Sequence, residues 1–464
     1  PFLIAEIDPL LPWIAGTAAV EADFFDIVLE LPGPAPKLFA LPLQPVTDPE
    51  YAIGLRASAL IKDGGTLQIG IGSLSDALCQ ALYLRHRHNA EYRELMNRLA
   101  PGFLESDLVR QYGGADPFKT GLYGASEMVN DGFRYLHQAG ILKRRVVDDL
   151  ELMQRERDDC LSDADRERLQ KEGHWLNGGF YLGSQDLYQW LREMPESEKN
   201  GIGMTRISHI NELYGGNETL ERLQRRDARF YNTCMMTTVL GAATSDALED
   251  GRVVSGVGGQ YNFVAMAHTL RDGRSILMFR STREQAGTAH SNVLWNYGHT
   301  TIPRHLRDIA LNEYGVADLR GADDEDCIKA MLSICDARFI PKLVDKAKRE
   351  LKLAGGFESP TSWTQNRPEH ISVVLAPYRK NNLLPEYPLG CDFTPVELRL
   401  VKALGFLKSK TASTFGKIKL IAMSLISSSG SDIEAIQRMN LQSPNGMKEK
   451  LAARLVAYAL HKTA

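Results

Sequence analysis

From residue 46 onward the apolar positions of the chain alternate between two periods. "DPEYAIGLRASALI" carries apolar residues at helical spacing behind an aspartate, and "KDGG" then supplies glycine where a helix ends. "TLQIGIG" follows as a short apolar run of the kind a buried strand shows, and "SLSDALCQALYL" returns to helical spacing. Residues 53–84 therefore predict helix, strand, glycine loop and helix in succession. That order belongs to an α/β fold with an open, mostly parallel sheet flanked by helices.

The flanking segments read differently. Residues 1–45 alternate short apolar runs with proline and glycine, as in "FFDIVLELPGPAPKLF", and predict strands; "PLQPVTDPEY" reads as a linker. Residues 85–120 are more polar and interrupt the rhythm as an insertion would, and the rhythm resumes at residue 121. "GRVVSGVGG", "SILMFRS" and "DIALNEYGV" are further strand candidates. Beyond about residue 341 the chain becomes helix-rich and lysine-rich, and residues 341–464, with "PEHISVVLAPYRKNN" and the polar run "SLISSSGSD", are expected to form a helix-rich C-terminal extension. No repeat recurs at a fixed period.

Composition narrows the class. A chain of 464 residues has room for two or three domains. A net charge of −4 provides no broad basic field, so neither nucleic acid nor a membrane surface is an expected partner. The six cysteines are scattered without a CxxC pair, the usage of an intracellular protein with reduced thiols. No apolar run approaches the roughly 18 residues that span a bilayer, and the first residues lack a basic stretch ahead of an apolar core. The expectation is a cytoplasmic enzyme. Because the sequence starts at Pro1 inside strand-like sequence, an upstream part is also expected.

Three stretches carry candidate chemistry. "IGIGS", Ile69 to Ser73, puts two glycines between a strand and a helix, where backbone N–H groups can face an anion or a developing oxyanion. It is not a dinucleotide fingerprint, because Ser75 stands where the third glycine belongs, and a nicotinamide-dependent oxidoreductase is disfavoured accordingly. "SGVGGQYNF" repeats the device with Gly256, Gly258 and Gly259. Between them "GLYGASEMVNDGF" places Glu127 where a strand hands over to a helix. A glutamate there can simply compensate a helix dipole. It can also be a nucleophile: serine needs a neighbouring base, whereas a glutamate is ordinarily ionised at neutral pH and attacks without one. His86 and His88 lie in an arginine- and glutamate-rich stretch with no second cluster and read as solvated surface, and Glu313 in "LNEYGVADLRG" reads as a strand-end acid.

These stretches occur in an order that resembles the acetyl-CoA hydrolase/transferase family, among the family I coenzyme A transferases. The resemblance rests on "DGGTLQIGIGSLSDAL", "YGASEMVNDGF", "SGVGGQYNF" and "NEYGVADLRG", supported by "GGFYLGSQDLYQWLR" and "ISHINELYG", and covers about residues 1–340. It implies that residues 46–340 are the C-terminal CoA-transferase domain and that residues 1–45 are the last portion of the N-terminal one. It further implies that Glu127 attacks an acyl-CoA, giving a glutamyl anhydride and then a glutamyl-CoA thioester in ping-pong order. Ile71, Gly258 and Gly259 would form the oxyanion- and CoA-binding loops, and Asn211 and Glu313 would line the carboxylate side. Coenzyme A would enter as a substrate, without a metal, alongside acyl-CoA and small carboxylates, and a homodimer is compatible with the family. Hydrolysis of acyl-CoA by the same glutamate, or non-covalent binding of CoA or a nucleotide, are the alternatives. The chain departs from the family pattern at Ala125-Ser126, where many relatives have His-Thr or Tyr-Thr, and at Asn262, where Asp is common.

Overall fold

Eight strands form the central sheet of the computed structural model, which describes residues 1–463 apart from 31, 34–37, 39, 41–42, 215, 286, 412–413 and 427–431. In chain order the strands are β1 (Ile4–Ile7), β2 (Ile27–Glu30), β3 (Thr66–Ile69), β4 (Tyr123–Val129), β5 (Leu176–Tyr181), β6 (Ile202–Met204), β7 (Arg229–Thr233), β8 (Met236–Thr238), β9 (Ala243–Thr244), β10 (Arg274–Met278), β11 (Thr282–Gln285), β12 (Thr288–Ser291), β13 (Val293–Leu294), β14 (Ile309–Asn312) and β15 (Gly315–Asp318). The central sheet has the order β15-β14-β10-β7-β3-β4-β5-β6. Every pair in it is parallel except the β14–β15 edge hairpin. β1 and β2 pair in parallel as a separate two-stranded sheet.

The helices cover both faces. Consecutive side chains of a strand point to opposite sides, and on β7 the neighbours Phe230 and Tyr231 accordingly belong to two different cores. Tyr231 packs with α1 (Asp48–Ser58), α2 (Ser73–Arg87), α3 (Asn89–Leu99), α4 (Asp107–Tyr112) and α5 (Asp131–Gln138), through residues such as Leu55, Leu78, Tyr92 and Phe133. Phe230 packs with Ile210, Phe263 and Met266 from the helices Ile207–Asn211 and Gln260–Thr269. Local sequence fixes the helix starts: Thr47 and Glu50 cap α1 reciprocally, with Pro49 in its first turn.

The expected helix, strand, loop and helix are present as α1, β3, the glycine loop and α2. Three other expectations are corrected. Residues 85–120 are no excursion from the fold: Tyr92, Leu95, Met96, Leu99 and Val109 enter the main core, and Arg85 reaches the carbonyls of Ser58 at 2.9 Å and Ile61 at 2.6 Å. The polar residues of α3 are simply the outward face of an amphipathic helix. "GRVVSGVGG" is not a strand but a loop, with Val253 74% exposed and a single isolated bridge from Val253 to Ala247. "DIALNEYGV" divides into β14 and β15.

The chain forms two compact units, one of Pro1–Ser281 with Ser291–Gly390 and one of Thr282–His290 with Cys391–Ala464. Residues 341–390, expected in the C-terminal extension, thus belong to the first unit, where Val344 and Leu375 are buried. In the second unit the helices Pro395–Lys410, Ile433–Arg438 and Gly446–Thr463 bury Leu400, Ala403, Ala435 and Val456 against one another. Most of the polar run "SLISSSGSD", residues 427–431, lies outside the described residues. No helix among the described residues is long and apolar enough to cross a membrane.

Candidate active site

Glu127 lies within β4, not at a helix start. Asn130 caps α5, its side chain accepting from Gly132 N at 2.9 Å, so the helix end is satisfied without the glutamate. On β4 the side chains of Tyr123 and Ala125 face away from α5, and the period of two puts Glu127 on their side. There its half-buried carboxylate meets the helix Ile207–Asn211: Asn211 Nδ2 donates to Glu127 Oε2 at 3.0 Å. The amide orientation follows from the charge, since the Asn211 oxygen turned toward a carboxylate would be repelled. Asn211 Oδ1, buried, has no partner among the described residues.

The second glycine loop closes on the same carboxylate. A Cβ at Gly259 would sit 2.4 Å from Glu127 Oε2 and 2.6 Å from Asn211 Nδ2, so a side chain there would displace the Glu127 carboxylate and the Asn211 amide. Gly258 stands at φ +51° and is farther off, its Cβ position 3.7 Å from Oε2. Gln260 holds the loop to the sheet, donating from Nε2 to Thr233 O at the end of β7 at 3.1 Å.

The first glycine loop follows β3, the strand beside β4. Ser126 Oγ donates to Ile69 O at 3.0 Å and Asn130 Nδ2 to Gly70 O at 3.0 Å, which anchors the loop to both ends of the Glu127 segment. Ile71 is 45% exposed at the carboxyl edge of the sheet, and Gly72 at φ +98° turns the chain into α2. Neither α2 nor the helix Gln260–Thr269 has a side-chain cap, although in the latter the Gln260 N–H donates to Val257 O at 3.2 Å. Such ends stabilise negative charge.

A cavity of about 310 Å³ opens at the amino ends of α2 and α5, bounded by Ile71, Ser75, Asp76, Asn130, Asp131 and Thr233 among others. Burial, and then the neighbouring Asp131 carboxylate, push the Asp76 carboxyl up to about 7. Asp131 is itself engaged by Arg134 at 3.2 Å and by the Ser184 hydroxyl at 2.6 Å. Nothing in the sequence singled out Asp76, which reads as an ordinary acid in the first turn of a helix, or Asn130 as cap of α5 and clamp on Gly70.

The structure brings together Glu127, Asn211, Gly258 and Gly259, with Ile71 on the adjacent strand end. Glu313 is not in this group. It follows β14, four strands from β4 and so about 19 Å across the ladder. It is 3% exposed, accepts from Ser281 N at 2.8 Å, and burial pushes its carboxyl up to about 7. His86 accepts from Phe118 N at 3.1 Å through Nδ1. Among the described residues no cluster of side chains could hold a metal, and the six cysteines are free.

Residues 183–347 match the family model described as the acetyl-CoA hydrolase/transferase C-terminal domain. The chain is 24% identical over 350 residues to a 4-hydroxybutyrate coenzyme A transferase of Clostridium kluyveri, a match covering 75% of this chain and 65% of that protein. It is 23% identical over 349 residues to a succinyl-CoA:cyclohexane-1-carboxylate CoA transferase of Geobacter metallireducens, covering 75% and 63%. Among solved structures, RipA from Yersinia pestis superposes with a TM-score of 0.54 at 20% identity, covering 75% of this chain and 63% of that one. A 4-hydroxybutyrate CoA-transferase from Porphyromonas gingivalis superposes with a TM-score of 0.51 at 23% identity, covering 75% and 67%. These superpositions establish the fold. The chain spans 65% and 63% of the length of the two curated relatives.

Proposed function

We propose that the chain is a coenzyme A transferase of the acetyl-CoA hydrolase/transferase family, whose C-terminal domain model matches residues 183–347, with Glu127 forming the covalent intermediates. A Glu127 oxygen attacks the thioester carbonyl of an acyl-CoA; the C–S bond breaks, CoA leaves as thiolate, and an acyl-glutamyl anhydride remains. The thiolate then attacks the glutamyl carbonyl and releases the acyl group as a carboxylate. An acceptor carboxylate reverses both steps on a new acyl group, giving ping-pong kinetics.

The observation that carries this reading is the fit of one carboxylate between Asn211 Nδ2 at 3.0 Å and a loop in which a Cβ at Gly259 would stand 2.4 Å from that carboxylate. Backbone N–H groups at Ile71 and Gly259, each beside an uncapped helix start, are the donors for the oxyanion; one such donor is typically worth about 10²–10³ in rate. Gly258 gives the second loop its left-handed turn. We assign Asn211 to holding the nucleophile. Coenzyme A is substrate in this scheme, and small carboxylates are the acceptors.

Mass spectrometry after incubation with acyl-CoA, followed by borohydride or hydroxylamine, tests the reading. A modification on Glu127 that is lost in Glu127→Gln, with the fold retained, is expected. Tight CoA binding without any adduct would favour the non-covalent alternative, and acyl-CoA consumption without exchange onto an added carboxylate would favour hydrolysis. The half-buried setting of Glu127 keeps hydrolysis open as the second reading, because water reaching the anhydride diverts it.

A further inference from the structure

We propose that a basic cavity at the amino edge of the central sheet binds a diphosphate group, at a place separate from Glu127. The cavity measures about 400 Å³, within the usual range for small ligands. Among the described residues its wall is formed by His268, Arg304, His305, Arg307, Arg320 and Gly321: three arginines, two histidines, a glycine and no acid. Arg307 lies just before β14, and Arg320 donates to the carbonyl of Gly273, just before β10, at 2.9 Å. Both glycine loops stand at the other edge, after the carboxyl ends of β3 and β7. The helix Gln260–Thr269 starts at the second loop and carries His268 to the cavity, about 13 Å away along the helix axis.

The fold leaves part of this positive charge unanswered. Arg307 donates to three carbonyls, from Nε to Leu319 O at 3.3 Å, from Nη1 to Leu240 O at 3.4 Å and from Nη2 to Ala322 O, which satisfies its N–H groups without cancelling its charge. It touches no carboxylate among the described residues. Arg320 and Arg274 are balanced by Asp308 and Asp318, but Arg304, 3.2 Å from Asp324, shares that one acid with Lys352 at 2.7 Å. Donors are free as well. Arg320 Nε is buried without a partner, and neither the exposed His305 side chain nor the Gly321 N–H has one among the described residues. Gly321 turns at φ +77° with nothing within 4 Å of its Cβ position, so its backbone is open to a ligand. An unpaired buried donor is costly, and guanidinium forks pair with phosphate oxygens two at a time. A diphosphate answers both needs, bringing several negative charges and several acceptor oxygens on one small group. That group comes free, as inorganic pyrophosphate or a nucleoside diphosphate, or as the head of coenzyme A.

Calorimetric titration of the full chain with inorganic pyrophosphate, at constant ionic strength, tests the assignment. One saturable site is expected. Arg304→Ala combined with His305→Ala, both on exposed side chains, is expected to weaken binding by about tenfold or more. Arg110→Ala removes an exposed arginine elsewhere and is expected to leave binding unchanged. Competition then separates the sources: displacement of pyrophosphate by ADP identifies a free nucleotide, displacement by coenzyme A but not by ADP identifies the CoA head, and displacement by neither leaves pyrophosphate itself as the ligand. Heats that never saturate, or equal weakening by Arg110→Ala and by the double variant, would reduce the effect to general charge and overturn the proposal. Saturable binding that the double variant leaves intact would place the anion elsewhere and overturn it too.

Discussion

Asn211 Nδ2 lies 3.0 Å from Glu127 Oε2, across 84 residues of sequence and from a five-residue helix to the middle of a strand. Hydrogen bonds to a charged group are worth about 1.5–3 kcal/mol. Asn211→Ala is therefore expected to lower kcat/KM for acyl exchange by roughly 10–100-fold, read by steady-state kinetics, while circular dichroism stays that of the parent. Unchanged kinetics would remove Asn211 from the site.

The two glycines of the second loop should separate chemistry from stability. Gly259 has φ −80°, a conformation alanine adopts freely, but its Cβ would meet the Glu127 carboxylate at 2.4 Å. Gly259→Ala is expected to cost activity by about 10²-fold or more with little change in melting temperature. Gly258, at φ +51°, has no comparable contact, and Gly258→Ala should cost about 1 kcal/mol of stability instead. Thermal melts and exchange rates measured on both variants decide this; the reverse ranking would refute it.

Asn130 has two jobs that a substitution can divide. Its oxygen caps α5 and its amide clamps Gly70 O, both within 3.0 Å. Asn130→Asp keeps a capping oxygen and loses the amide donor, so stability is expected to stay within about 0.5 kcal/mol of the parent while acyl exchange falls. Asn130→Ala should lose both, with about 1 kcal/mol of stability gone. Full exchange activity in Asn130→Asp would show that the clamp is dispensable.

Glu313 makes stability depend on pH. Its carboxyl rises from 4.5 to about 7 because burial disfavours the charged form. Between those values the native state keeps a proton that the unfolded chain has released, so stability falls as pH rises through the window and levels off above it. The span is about 3 kcal/mol at most. Asp76, raised in the same direction, adds to the slope. Glu313→Gln should flatten the loss between pH 5 and 7.5 in urea melts, and an unchanged slope would exclude Glu313 as its source.

Much of this fold could be read from periodicity, because α1, β3 and α2 are each governed by short-range patterns and by turn residues that act locally. The exceptions have physical causes. "GRVVSGVGG" has the apolar content of a strand, but its backbone folds back locally on residues 246–248, Val254 N donating to Asp246 O at 2.7 Å, and Val253 and Val254 stay exposed. The polar count of residues 85–120 hid an apolar stripe, Tyr92, Leu95, Met96 and Leu99, spaced for one face of α3. At the site, Glu127 and Gly259 could be picked out from loop and strand signals together with the family resemblance. Asp76 and Thr233 could not, since they matter only through a cavity that forms when distant strands align. Glu313, grouped with the site by resemblance, lies four strands away because chain order does not give sheet order.

Mounting the glutamate inside β4, between the paired positions Ser126–Gly178 and Met128–Phe180, has a mechanical consequence. In the proposed cycle this side chain turns from anion to neutral anhydride, to neutral thioester and back, a repeated switch of charge at one point. The backbone on both sides of it is paired to β5, so the switch is absorbed by a few side-chain torsions and by the glycine loops rather than by the scaffold. The sheet works as an anvil: the workpiece changes on every stroke and the base stays still.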